Sequence, residues 1–205
     1  RGQLAAVVSL GTGIAITEWF DFIVQAAKTQ GWPHEHYTTP IAYDALVRKY
    51  GFPGPGRHGL YMSALKGRGI RQFRKAHPGR ILASGVRRSE SMRRFRTVSE
   101  VNFFEGVPVW NPIWEWTEDE TMTYFFQHHL QKSPCYVTLG ISGDCLCGAF
   151  ARPDERELLL EFYPELDTRL RSLEPDKRGK RWGKAAGPAI KPGNESLLCV
   201  ECGDA

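Results

Sequence analysis

The sequence predicts an α/β protein with a Rossmann-like architecture: an open, mostly parallel sheet, helices on both faces, and a C-terminal helical, cysteine-rich extension. Three observations predict it. An uncharged run, Leu4 to Leu10, ends in Gly11-Thr12-Gly13 and is followed by an amphipathic segment, the pattern of strand, glycine turn and helix. A second short apolar run, Ile81-Leu82-Ala83, again leads through glycine, Gly85, into a helix-competent stretch. Such strand–turn–helix units build sheets whose carboxyl edge carries the ligand site. At 205 residues, 41% hydrophobic and 12% aromatic, the chain is sized for one cored domain and is not of disordered composition. No run is long and apolar enough to span a bilayer, and the N-terminus has no signal-peptide pattern, so a cytoplasmic protein is expected.

In chain order, Leu4 to Leu10 reads as a buried strand because two adjacent valines sit in an uncharged run. Thr17 is placed to cap the next helix, with Phe20, Ile23, Val24 and Ala27 on its inner face and Gly31 as its stop. Trp32 to Thr38 reads as a second, polar strand. Thr39-Pro40 suits a helix start, and Tyr43, Leu46, Val47 and Tyr50 recur at helical spacing up to Gly51. Phe52-Pro53-Gly54-Pro55-Gly56 is a rigid loop delivering Arg57 and His58 to a helix over about Leu60 to Lys75, which carries Tyr61, Leu65 and Lys66. Val107-Pro108-Val109-Trp110 is extended. Thr117 opens a helix with a capping box completed by Glu120, and Tyr124, Phe125 and Leu130 are its expected inner positions. His128 and His129 near its end suit the negative pole of the helix dipole better than a metal, since adjacent helical side chains diverge. From Pro153 the pattern is helical through Leu158, Leu159, Phe162, Leu166, Leu170 and Leu173, and residues 175–195 read as a linker rich in Lys, Gly and Pro. Domain bounds of 1–150 for the α/β unit and 151–205 for the extension follow.

Charge is unevenly spread. The net charge is +4, yet Lys66 to Arg96 holds eleven basic residues against Glu90 as its one acid. A field of that sign draws polyanions: a nucleotide, a sulfonucleotide or a nucleic acid backbone. Within it, Gly85-Val86-Arg87-Arg88-Ser89-Glu90-Ser91 joins a glycine, paired guanidiniums and a helix start, the ingredients of an anion site.

Four of the five cysteines form two close pairs, Cys145-Leu146-Cys147 and Cys199-Val200-Glu201-Cys202. Two pairs about fifty residues apart suit a four-thiolate centre, zinc or iron–sulfur alike, while structural disulfides are disfavoured in a cytosolic chain. Cys135, in an apolar run, reads as a core residue.

The order of segments resembles the phosphoadenosine phosphosulfate (PAPS) reductase family of the adenine nucleotide alpha-hydrolase superfamily. The residues that carry the resemblance are Thr12-Gly13-Ile14-Ala15, Tyr50-Gly51-Phe52-Pro53, Leu65-Lys66, Gly85 to Ser91, Pro112-Ile113 with Trp116-Thr117, Ser133-Pro134 and Gly143-Asp144-Cys145. The resemblance implies an adenine nucleotide or sulfonucleotide bound through Thr12, Gly13, Lys66, Arg87, Arg88 and Ser91. It further implies a four-iron cluster on Cys145, Cys147, Cys199 and Cys202, with zinc as the alternative. In thiol-type members Glu201-Cys202-Gly203 would instead present Cys202 as the catalytic nucleophile. Two departures stand out: the family's turn carries Asp or Asn where this chain has Gly11, and its pyrophosphate loop would lie upstream of Arg1. The implied chemistry is sulfonucleotide reduction with a thiol electron donor, or ATP-dependent sulfur transfer, for which DNA phosphorothioation is the family's example and nucleic acid a partner for segment 66–96. The competing expectation is a non-catalytic nucleotide- or nucleic-acid-binding module with a structural zinc. A homodimer is one assembly open to either.

Overall fold

The computed structural model describes residues 4–183; Cys199 and Cys202 lie outside the described residues. Strand β1 (Val7–Gly11) pairs in parallel with β2 (His34–Thr38), with Ser9 opposite His36 and Gly11 opposite Thr38. A second sheet has the order β3 (Leu82–Ala83), β5 (Val107–Trp110), β4 (Val101–Phe104), β3 parallel and β4 antiparallel to β5. The described strands thus make a mixed α/β fold with parallel pairing in both sheets, β4 being a strand the sequence reading passed over.

Helix α1 (Thr17–Thr29) connects β1 to β2. Its N-cap is Ile16, not Thr17, which forms the first helical turn, and of the expected inner residues only Ala27 is buried. Phe20 instead lies edge-on to His34 and His36. Helix α2 (Tyr43–Tyr50) begins three residues after Pro40, because the Thr39 hydroxyl accepts from the Ile41 backbone and makes a local turn first.

The helix expected over Leu60 to Lys75 is three stacked pieces: α3 (His58–Met62), a π-helical turn (Ser63–Gly67) and α4 (Arg68–Ala76). Helix α4 binds the two sheets together. Its Ile70 and Phe73 pack with Val107, and Val8, Leu10, Tyr37, Leu82 and Phe104 complete that core. Gly69 gives α4 its close approach to β1, since an added Cβ would lie 2.9 Å from the Leu10 side chain and force it to move.

A short helix α5 (Met92–Thr97) precedes β4. Helix α6 (Glu118–Gln127) opens with the expected capping box: Thr117 accepts from the Glu120 backbone, and Glu120 accepts from the Thr117 backbone at 2.8 Å. Its inward face is a correction, for no residue of the helix is buried and Tyr124 and Leu130 are exposed. The short helix α7 (Pro134–Thr138) buries Cys135 completely, and α8 (Glu155–Phe162) and α9 (Pro164–Ser172) follow.

The larger core lies around the chain from Ile141 to Ala149. Ile14, Tyr43, Phe52, Tyr61, Leu65, Leu159, Leu170 and Trp182 converge with Leu146 and Cys147. The start of the expected linker is part of it. Asp176 accepts hydrogen bonds from the backbones of Phe52, Arg178 and Lys180, and Trp182 is buried with its indole donating to the Leu146 carbonyl at 2.9 Å. Among the described residues no helix is long and apolar enough to cross a membrane.

Candidate nucleotide and sulfur site

The site assembles where β1 ends. Gly11 closes the strand, and Gly13 takes a φ of +71° that glycine tolerates, which turns the chain sharply. Thr12 is fully buried; its hydroxyl donates to the Asp144 carbonyl at 3.1 Å and accepts from the Ile14 backbone. Two backbone bonds stitch the same loops together, from Ile16 to the Gly143 carbonyl and from Leu146 to the Ile14 carbonyl. Tyr43 adds a third tie, donating to the Cys147 carbonyl at 2.8 Å. The cysteine loop is therefore held against the carboxyl edge of β1 by groups that the primary structure keeps about 130 residues apart.

Lys66 enters from the π-helical turn, the kind of local irregularity that re-aims a side chain. Its side chain is only 3% exposed and its ammonium forms an ion pair with the Asp144 carboxylate. The second oxygen of Asp144, Oδ1, is buried and accepts no hydrogen bond. The Cys145 thiol is pushed well above its ordinary range, first by its hydrogen bond with Cys147, then by burial; Lys66 pulls the other way and Asp144 adds to the push. Thr12, Lys66, Asp144 and Cys145 thus form one neighbourhood.

Arg87, Arg88 and Ser91 form another. Arg87 lies 3.7 Å from Glu90 and 3.8 Å from Glu118, and its Nη1 is buried without a hydrogen-bond acceptor. Arg88 lies 3.8 Å from Glu115, with its guanidinium over the rings of Phe95 at 4.4 Å and Trp114 at 5.3 Å. Arg94, 2% exposed, pairs with Glu90 at 3.0 Å. Burial raises the Glu90 carboxyl, with Arg94 and the Arg87 backbone opposing. Ser91 spends its hydroxyl as the N-cap of α5, accepting from the Arg94 backbone at 3.2 Å. The expected cationic field is thereby much reduced. Lys66 faces Asp144, Arg71 pairs with the Glu105 carboxylate and Arg74 donates to the Glu105 carbonyl at the β4–β5 turn, and Arg87, Arg88 and Arg94 meet Glu90, Glu115 and Glu118. All of those acids except Glu90 lie outside segment 66–96, where a count along the chain does not see them.

Cys145 and Cys147 are neighbouring thiols, two donors of the type that a thiolate metal centre uses. Among the described residues no group of three or more His, Cys, Asp or Glu side chains could hold a metal. The donor chemistry of the described pair fits zinc or an iron–sulfur cluster equally well.

The sequence reading missed three contributors. Asp144 was noticed only as part of a motif, although it is the partner of the buried lysine. Arg169 of α9 grips Asp44 through Nε and Nη2 and donates to the Gly13 carbonyl at 2.7 Å, so it supports the glycine turn from 156 residues away. No local pattern marks either of those pairings. His36 is the third. Its Nδ1 is 2.7 Å from the Ser9 hydroxyl, which also meets His34 Nε2 at 2.9 Å, and its ring occupies the space beside Gly11.

With this geometry in place, comparisons with known proteins are informative. No curated protein matches the chain. A similar solved structure is the phosphoadenylyl-sulfate (PAPS) reductase from Candida auris in a phosphate complex, at 15% identity over 68% of each chain with a TM-score of 0.50, a likeness of fold. The model of the phosphoadenosine phosphosulfate reductase domain matches residues 2–140, more than half of the sequence, and the chain belongs to that family.

Proposed function

We propose that this chain binds an adenine sulfonucleotide at the carboxyl edge of β1 and reduces it. The observation that carries this reading is the convergence of Thr12, buried Lys66 and the Cys145 loop on one glycine turn. Lys66 supplies a cation in a dry setting, where it acts on a phosphate or sulfate more strongly than in water. The Gly13 turn brings backbone close to the ligand, and Arg87, whose buried Nη1 has no acceptor, is a second donor for anionic oxygens.

In the reaction a thiolate attacks the sulfonyl sulfur and the sulfur–oxygen bond to the phosphate breaks. The nucleotide leaves with the electron pair, its new charge countered by Lys66, and the sulfonate stays on the cysteine. A dithiol donor then displaces sulfite and is itself oxidised to the disulfide. Where Cys145, Cys147, Cys199 and Cys202 instead hold a metal centre, a four-iron cluster in the first instance, the attacking thiolate and the sulfonate it carries would belong to the dithiol donor. Cys202 has two incompatible uses, fourth ligand or nucleophile. Cys202→Ser separates them: metal lost along with turnover marks a ligand, metal kept with turnover lost marks the nucleophile.

The test of the whole reading is sulfite release from adenosine 5′-phosphosulfate or its 3′-phosphorylated form by the full chain with a dithiol, alongside iron, sulfide and zinc analysis. Sulfite release is the expected result. No release from either substrate, with one zinc per chain and no iron, overturns it in favour of a binding module.

A further inference from the structure

We propose that His36 is a ligand-binding residue, which supplies from β2 the polar contact that Gly11 cannot supply from β1. This rests on the nucleotide reading above. Gly11 is the last residue of β1, immediately before Thr12 and the Gly13 turn, so any side chain at position 11 would stand at the mouth of the site. That space is filled from the neighbouring strand. A Cβ built on Gly11 would lie 2.9 Å from His36 Nε2, closer than real Cβ contacts come, and equally close to the Thr38 Cγ2. The imidazole edge therefore stands where a side chain of residue 11 would begin. A glycine at this position carries no positive φ and does not need one; it is there for room.

The ring is held as a binding group rather than left loose. Nδ1 is fixed by the Ser9 hydroxyl at 2.7 Å, and Phe20 packs edge-on with ring centroids 4.7 Å apart. One face is thus braced by α1 and one nitrogen by β1, while the residue stays exposed and Nε2 lies beside Gly11. Burial lowers the proton affinity of His36, with nearby His34 assisting, so the neutral ring is favoured. A neutral imidazole with one nitrogen anchored offers the other as a directed donor or acceptor, suited to a nucleotide's ribose, base or phosphate oxygens.

The test is a swap of the polar group between strands, read by calorimetry with adenosine 5′-phosphosulfate as the probe on the full chain. His36→Ala should weaken binding roughly tenfold, the scale of one lost hydrogen bond. Gly11→Asn alone should also weaken it, because the new Cβ and the His36 ring compete for one space. The triple variant Gly11→Asn with His36→Ala and Thr38→Ser, which clears both side chains that crowd a Cβ at position 11, should recover most of the affinity, which no purely structural role of His36 predicts. Thermal unfolding of each variant checks that the fold is kept, and His36→Gln, which retains an amide at the same height, should bind better than His36→Ala. Wild-type affinity in His36→Ala overturns the proposal, as does a folded triple variant no tighter than His36→Ala. A wild-type chain that does not bind the probe overturns the nucleotide reading itself and this inference with it; binding by the wild type that ignores position 36 overturns this inference alone.

Discussion

The two cationic neighbourhoods of this protein look alike along the chain and differ in space. Around Lys66 one cation is buried against one carboxylate, and the loops that bring them together are tied by backbone bonds to β1. Around Arg87, Arg88 and Arg94 three guanidiniums share three carboxylates, two of which, Glu115 and Glu118, are well exposed. The first arrangement depends on charge placement in a dry place. The second is divided: Arg94 and Glu90 form a buried pair, while the partners Glu115 and Glu118 are exposed, so water screens their pairs and each contributes little. A charge count that treats all eleven basic residues of segment 66–96 alike therefore misjudges both.

The largest expected effect breaks the first neighbourhood. Asp144→Ala leaves the Lys66 ammonium buried without its carboxylate and should destabilise the fold by about 3 kcal/mol, the scale for orphaning one member of a buried pair. Chemical denaturation of Asp144→Ala beside Asp144→Asn measures it, and a change below about 1 kcal/mol would mean that Lys66 is effectively solvated. Next is Ser91→Ala, which removes the N-cap of α5 and should cost about 1 kcal/mol. If stability is unchanged, the capping hydroxyl is free to serve an anion instead. The smallest is Glu115→Gln, within about 0.5 kcal/mol because the carboxylate is 66% exposed. Its use lies elsewhere: tighter sulfonucleotide binding in Glu115→Gln would show that Arg88 is a site residue held back by its partner.

A pH series sharpens the same contrast. The Glu90 carboxyl is raised above 4.5 in the fold by burial, so the native state binds its proton more readily than the unfolded chain does. Its contribution is therefore most favourable in acid and fades as pH rises from about 4.5 through the native value. Asp176 runs the opposite way. Burial pushes it up, but the backbone donors of Lys180, Phe52 and Arg178 outweigh that and hold it below 3.8, so its contribution is present at neutral pH and lost in stronger acid. Urea midpoints from pH 3 to 7, conditions chosen to bracket the ordinary carboxylate range, should flatten on the upper side in Glu90→Gln and on the lower side in Asp176→Asn. Identical profiles in both variants would refute the assignment.

Much of the fold was legible in the residues themselves. The glycines that end β1, the Thr117–Glu120 box and the apolar setting of Cys135 each reflect a local rule and stand in the structure as read, whereas the strand expected to be buried over Leu4 to Leu10 runs from Val7 to Gly11 with only Ser9 buried and Leu4 exposed. What stayed hidden depends on partners far along the chain. β4 carries two adjacent phenylalanines and no clean alternation, and it is a strand because β5 pairs with it. Helix α6 has the apolar residues of an inward face, yet among the described residues no other element buries them. Residues 176–183 read as linker because Lys and Gly dominate, while one aspartate and one tryptophan dock the segment. At the site the residue types were visible in part: Lys66, Thr12 and the cysteines declared themselves, while Asp144 and His36 acquire meaning only through the neighbour each one meets.

The π-helical turn at Ser63–Gly67 has a consequence for how this chain tolerates change in length. Such a turn carries one more residue than the same span of α-helix, stored between α3 and α4, whose outer ends are pinned by Tyr61 and by Ile70 with Phe73. Deleting a single residue there would let the segment rewind into regular helix while both ends keep their packing. The cost would fall on direction: Lys66 would swing by about 100°, the step of one helical position, and point away from the aspartate it faces. A shortened chain of that kind should fold and yet grip no anion.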